Sequence, residues 1–592
     1  MTPEKNPFYG GTYFPPEPRW GSPGFKEVLL SIHSNWQRQK DKIKESGGSI
    51  VTALKKRAET PSGEESFLDE RFLTHAVGEL QRQYDSSYGG FGPAPKFPTA
   101  HHTLFLLRHW KRTRNTESLS MAVRTLTAMA NGGLQDHLGG GFHRYSTDAK
   151  WQVPHFEKML YDQALLGRAY LEGFAASRRE DLARTARGIF TYILRDMQSE
   201  EGAFFSAEDA DSPDPYDPDG EKIEGGYFLW KFQEVKDSLS SEEADIFCFH
   251  FGIQEEGNIG YVPDGGFERK NILWVVHDLE ETARHSGVSL EKVEQCLSSA
   301  KKKLFHKRQD RPRPVLDDKI LVDWNGLMIA ALAYGSRVLS EELYLREARR
   351  AADFILEKMV EEENLYHRYR EGERAVTGQL DDYAFFVYGL LELWEASFEL
   401  KYLEWALKLN GQMARRFYDS ARGGFFLTEE GQEELIFRAK EAYDGALPSG
   451  NSVAVWNLLR LYHLTADRKW RALAEGTIKA FSRNLETHSS AYSQFLCAFD
   501  GLVGPYTEIV IAGEKNDPRF PEVRKIISEI FLPQCVLIYR PQEGGGLLKY
   551  APFVEKQEGV AGKITVYVCS GHACRQPVTD LEELCTALEA IR

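Results

Sequence analysis

"GGGFHRYSTDAKWQVPHFEKMLYDQA", residues 139–164, runs from a glycine-aromatic turn through a polar stretch into an apolar helix, and this join repeats along the chain. Related turns are "YGGFG" (88–92), "EGAFFSA" (201–207) and "RGGFFLT" (422–428), with a degenerate form, "ENLYHRY", at 363–369. Most steps are about fifty to sixty residues, and one larger gap marks an insertion; such a period signals a repeated supersecondary unit. Each unit reads as an amphipathic helix, the turn, a polar motif and a greasier helix. Leading helices are expected near 67–86, 117–133, 180–198, 340–360, 401–418 and 467–486. Following helices are expected near 98–113, 155–176, 323–339, 381–397, 449–465 and 490–503. Segments such as "WNGLMIAALAYG" and "DDYAFFVYGLLELW" are apolar on every side, so they form an inner ring that the amphipathic helices cover. The fold class is therefore mainly α, an (α/α)6 toroid.

Links from inner to outer helix are short and plain, such as "SRRED" and "TADRK". Links from outer to inner helix are long and hold nearly every unusual polar cluster, which makes their rim the place for a site. They enter the inner helices at N-termini, whose free N–H groups favour oxygen-rich ligands. Residues of about 211–314 interrupt the repeat with the Pro/Gly/Asp-rich "DSPDPYDPDGEKIEGG", read as an inserted lid or subdomain. After residue 505, "EIVIAG", "CVLIYR" and "ITVYVC" alternate with helices near 520–530 and 579–591, a small α/β module.

The chain has 592 residues and a formal charge of −15, a poor match to nucleic-acid phosphates. No apolar run reaches a membrane span and no signal peptide opens the sequence, so a cytoplasmic location is expected. The seven cysteines are scattered, and "CSGHAC" (569–574) lacks a second pair of metal ligands, so reduced structural thiols are expected there. No cofactor and no metal site are expected. Walker, dinucleotide and serine-elbow motifs are missing.

Five clusters on the loaded rim are candidates. The first holds His143, Arg144, Trp151, His155, Glu157, Lys158 and Asp162, with Pro154 opening a helix that aligns His155, Lys158 and Asp162. The second is "SAEDADS", where Glu208, Asp209 and Asp211 crowd together and raise one pKa, as a general acid needs. The third is "LDDKILVDWNG", with Asp318, Trp324 and Asn325, and with Asp323 as a helix cap. In "LDDYAF" Asp381 caps while Asp382 and Tyr383 face inward, and "KEAYDGALPSGNS" supplies Lys440, Glu441, Asp444, Ser449 and Asn451. Carboxylates, His and aromatic rings together suit a polyhydroxylated, sugar-like small molecule.

Long motifs make the sequence resemble a known family. "GGTYFPPE", "YGGFGPAPKFP", "DHLGGGFHRYSTDAKWQVPHFEKMLYDQA", "SAEDADS", "DDKILVDWNGLMIAALA", "LDDYAF" and "KEAYDGALPSGNS" resemble the thioredoxin-like, six-hairpin glycosidase-like family that includes spermatogenesis-associated protein 20. The resemblance implies a thioredoxin-like part before a six-hairpin toroid. Here it predicts a truncated remnant (hairpin plus helix) at 1–62, the toroid at 63–504 and the α/β module at 505–592. No Cys precedes Cys248, so the redox activity of a thioredoxin is not carried over. By analogy with sugar 2-epimerases on this fold, His143 and His155 are the expected acid and base of an epimerase or isomerase. The alternatives are glycoside hydrolysis, with Glu208 or Asp211 opposite Asp318 or Asp382, and a non-catalytic binding scaffold.

Overall fold

The computed structural model describes all residues except 20, 59–68, 218–219, 261–266, 432–434, 544 and 592. It contains all twelve expected helices. The outer set is Arg71–Gln83, Thr116–Asn131, Glu180–Tyr192, Glu342–Phe354, Leu400–Phe417 and Arg468–Ala480. The inner set is Ala100–Thr113, Leu160–Ser177, Val322–Val338, Leu380–Ser397, Gly450–Thr465 and Ser493–Val503. Each inner helix packs on the next, and Ser493–Val503 returns to Ala100–Thr113, closing the ring. Burial follows the sequence pattern. Outer helix Arg71–Gln83 buries Leu73, Ala76, Val77 and Leu80, a single stripe, whereas in Leu380–Ser397 every residue but Asp381 and Tyr388 is buried.

The glycine-aromatic turns are held by two repeated devices. A lysine reaches back to an aspartate and a glycine carbonyl: Lys96 to Asp85 and Gly89, Lys158 to Asp136 and Gly140, Lys440 to Asp419 and Gly423. An amide on the inner helix then clasps the N–H and C=O of the turn's phenylalanine. Gln163 does this to Phe142, Asn325 to Phe204 and Asn451 to Phe425. Each clasp satisfies polar backbone that the ring buries.

Two glycines decide where the rim's carboxylates meet. Helices Val322–Val338 and Leu380–Ser397 touch backbone to backbone; a Cβ on Gly326 would sit 2.5 Å from the Phe385 carbonyl carbon, and one on Gly389 would sit 2.6 Å from the Gly326 oxygen. The close approach brings the first turns of the two helices together. Gly326→Ala must push them apart and is expected to cost about 1–3 kcal/mol, measurable by denaturant unfolding. An unchanged midpoint would refute this account of the contact.

Several expectations change. The helix expected from 155 begins at Leu160, because Pro154–His155 and Lys158–Met159 are short strands pairing with Tyr145–Ser146 and Ala207–Glu208. His155, Lys158 and Asp162 therefore share no helix face. Helices open on Leu321 and Gln379, so neither Asp323 nor Asp381 is an N-cap; Asp382 instead completes a capping box with Gln379. Residues 2–16 hold no strand of the expected hairpin, and helix Phe25–Ala58 follows them. The boundary expected at 62/63 lies outside the described residues.

The inserted segment has an apolar cluster of its own, from Trp230 to Leu304, and docks on the 136–158 link through Arg308 on Asp136 and Phe228 on His143. At the C-terminus, strands Cys535–Arg540, Thr507–Ala512, Thr565–Ser570 and Ala573–Cys574 lie side by side in that order, the first pair parallel and the rest antiparallel. Helices Phe520–Glu529 and Leu581–Glu589 accompany the sheet. Cys569 and Cys574 are joined in a disulfide, not reduced as expected, because antiparallel pairing sets them directly opposite each other. No helix among the described residues is long and apolar enough to cross a membrane.

Candidate active site at the rim

Asp323 and Asp382 enter the rim on the two helices that the glycine contact draws together, and His367 reaches them from strand Asn364–Arg370. His367 Nδ1 lies 2.8 Å from Asp382 Oδ1, while Asp382 Oδ2 accepts the Gln379 N–H. Ligand atoms of all three side chains lie within 4.8 Å of one another. Burial pushes the Asp323 carboxyl up to about 8, reinforced by the Asp382 charge. The hydrogen bond to Asp382 lifts the His367 imidazole to about 9. Burial, then Asp382, raises neighbouring Asp381 to about 7. Groups this close with proton affinities near neutrality are equipped to move protons.

Beside this cluster, Trp324 presents a half-buried ring that meets Tyr161 edge to face at 4.9 Å. On the Tyr161 side lies a second charged group. Arg144 holds Glu157 at 2.8 Å, and His155 is stacked on Tyr145 with Nδ1 2.6 Å from Glu224. Burial lowers the His155 pKa, but its hydrogen bonds to the Glu157 and Glu224 carboxylates outweigh this and raise it to about 9. Asp211 stands across the strand pair from Glu224, and burial, then Asp209 and Glu224, raise its pKa. Asp162 is buried with Oδ2 unpartnered among the described residues, and burial holds its pKa well up. Asp318 pairs with Arg370 at the rim.

Other candidates serve the frame. His143 is buried edge-on against Phe156 and Phe228, with Nδ1 2.9 Å from the Phe156 oxygen; burial drops its pKa to about 3. It does not reach the rim cluster. Glu208 is buried against the Tyr192 hydroxyl and Arg313. Trp151 fills the space above Gly90 and Gly132, its indole N–H on the Tyr88 oxygen. Lys158, Lys440, Asn325 and Asn451 are the clasps described above. Tyr383 packs on Phe417 inside the ring. Asp444 accepts N–H groups of Ser449, Gln494 and Phe495, tying two inner helices together, and Glu441 is exposed near Asp381.

Two residues at the rim escape a reading by motif. His367 lies in the degenerate turn "ENLYHRY", whose lost glycines are its only signal. His101 is buried with both ring nitrogens unpartnered among the described residues, and it lines a cleft with Phe97, His102, Tyr443 and His488. Phe97 stacks on Tyr145, which links this cleft to His155.

The closed ring and its loaded rim define a six-hairpin toroid protein. The chain belongs to the family of spermatogenesis-associated protein 20: the Homo sapiens protein of that name is 37% identical over 613 residues, covering 99% of this chain and 78% of its own length. Residues 1–55 also match the family described as "Protein of unknown function, DUF255". Among solved structures, a D-mannose isomerase aligns with 71% of this chain and 88% of its own at a TM-score of 0.44 and 12% identity. The GH76 alpha-mannanase BT2949 of Bacteroides thetaiotaomicron aligns with 73% and 95%, at 0.44 and 10%.

Proposed function

We propose that the rim catalyses proton transfer on a sugar, as an epimerase or isomerase does. The observation that carries this reading is the Asp323–His367–Asp382 cluster beside the Trp324 ring. In the ionised state Asp323 takes the proton from the carbon next to the sugar's carbonyl. Protonated His367, oriented by Asp382, donates its free N–H to the carbonyl oxygen, and an enediol forms. Asp323 returning the proton to the neighbouring carbon while His367 takes back the O2 hydroxyl proton gives the ketose. A solvent proton added to the first carbon from the opposite face, with the O1 hydroxyl proton returned to His367 and the Asp323 proton released to solvent, gives the epimer. Trp324 offers a flat apolar surface to the ring's C–H face, and Arg144, His155 and Glu157 offer charged hydrogen bonds to its hydroxyls. His367 thus takes the part expected of His143.

A panel of reducing mono- and disaccharides in D2O, followed by proton NMR, tests the proposal. Deuterium at C2 together with a new epimer or ketose is the expected result. The raised Asp323 carboxyl also suits the general acid of a glycosidase, so oligosaccharide cleavage without exchange would replace this reading with hydrolysis. Saturable binding with neither reaction would leave the scaffold reading.

A further inference from the structure

We infer that the chain carries a divalent-metal site, independent of the rim, formed by His463, Glu508 and His572 where the α/β module meets the toroid. The three side chains come from three separate elements. His463 lies in the last turn of inner helix Gly450–Thr465, Glu508 on the central strand Thr507–Ala512, and His572 at the tip between strands Thr565–Ser570 and Ala573–Cys574. Their ligand atoms lie within 4.8 Å of one another. His463 Nδ1 is 2.6 Å and His572 Nε2 4.0 Å from Glu508 Oε1.

The surroundings are built around this point. Glu508 is fully buried, yet among the described residues its ion-pair partners are these two imidazoles and no Lys or Arg. A buried carboxylate ordinarily needs a full positive charge beside it. Its second oxygen accepts the His572 backbone N–H, which fixes the hairpin tip over the carboxylate. His572 holds a left-handed backbone, φ 63°, that a non-glycine residue adopts at some cost. The aromatic rings of Tyr506, Tyr462 and Phe553 wall the two imidazoles. The Cys569–Cys574 disulfide closes the neck of the same hairpin.

Two imidazoles and one carboxylate make a donor set for zinc or a similar borderline ion, with ligand distances of about 2.0–2.2 Å and a further position open to water. Admitting the ion opens the His463–Glu508 contact by less than about 1 Å, since ligands at those distances stand about 3.3 Å apart in a tetrahedral shell. His572 retains 15% side-chain exposure, which gives the ion a path in from solvent. Once bound, the ion ties the module's sheet to the last turn of inner helix Gly450–Thr465.

The full chain, stripped with a chelator and titrated with Co²⁺, provides the test. About one equivalent per chain is expected to bind with visible d–d bands of a low-coordinate nitrogen/oxygen site, and Zn²⁺ is expected to displace it. His572→Ala, at the partly exposed tip, should abolish the bands or weaken binding at least about tenfold, with circular dichroism unchanged. His367→Ala, which removes the imidazole from the rim cluster, should leave the bands intact. Bands lost with His367→Ala but kept with His572→Ala would overturn the assignment, and so would the absence of any Co²⁺ spectrum. If His572→Ala unfolds, the conservative His572→Gln takes its place with the same readouts.

Discussion

Replacing Asp323 with Asn is expected to lower turnover by about 10²–10⁴-fold, the usual contribution of a positioned acid or base. The structure predicts that folding survives the change. Asp323 Oδ1 accepts the Trp324 N–H at 2.8 Å, and an amide oxygen can do the same. Rate should follow a bell against pH: it rises as Asp323 ionises near 8 and falls as His367 deprotonates near 9. Stability declines with rising pH throughout this range. Both groups hold protons more tightly folded than unfolded. Asp323's contribution is complete below its ordinary 3.8 and fades as pH rises to about 8; that of His367 is complete below 6.5 and is lost through about 9. Asp323→Asn removes the first of these, so its melting temperature should fall less steeply between about pH 4 and 8 than that of the wild type. Wild-type turnover in Asp323→Asn would remove this carboxyl from the chemistry.

Replacing Glu392 with Ala is expected to be the most damaging single change to the fold. Its carboxylate meets Arg168, Arg337 and Arg460 at 3.2, 2.8 and 3.0 Å. Glu395 shares Arg337 and Arg460, while Glu172 holds Arg108 and Arg168. Five of the six inner helices contribute to this network, near their C-terminal ends, and segment 527–537 of the α/β module covers it. Positive charge is favourable at that end of a helix. The guanidiniums hold the Glu392 carboxyl down to about 2 against the burial that would raise it. The stabilisation is thus present above its ordinary 4.5 and lost only as pH falls through about 2. Removing the charge leaves three buried guanidiniums short of a partner, a loss of about 3–5 kcal/mol. Thermal and denaturant unfolding of the full chain measure it. A loss below about 1 kcal/mol would show that water enters and screens this network.

Much of the ring was legible because its physics is local. Burial on all sides writes a continuous apolar run, burial on one side writes a stripe, and the glycine-aromatic turn repeats at a fixed step. The α/β module followed from apolar strand runs in the same way. The candidate site was legible only in part. "LDDYAF" and "LVDWNG" read as polar stretches at the rim, but His367, which meets them in the structure, stands in a turn that has lost its pattern. Lys158, Asn325 and Asn451 carried the residue types of a ligand site and proved to be clasps on the turns, because a buried backbone group uses the same donors and acceptors as a ligand.

The sequence by itself determined that twelve helices alternate as two rings and that the long links gather on one rim. Which side chains on that rim meet was decided by tertiary structure alone. Gly326 and Gly389 let two helix backbones touch, strand Asn364–Arg370 carries His367 across to them, and the inserted segment brings Glu224 to His155. Periodicity records how each residue faces its own element. It holds nothing of the distance between elements, and proton transfer depends on that distance.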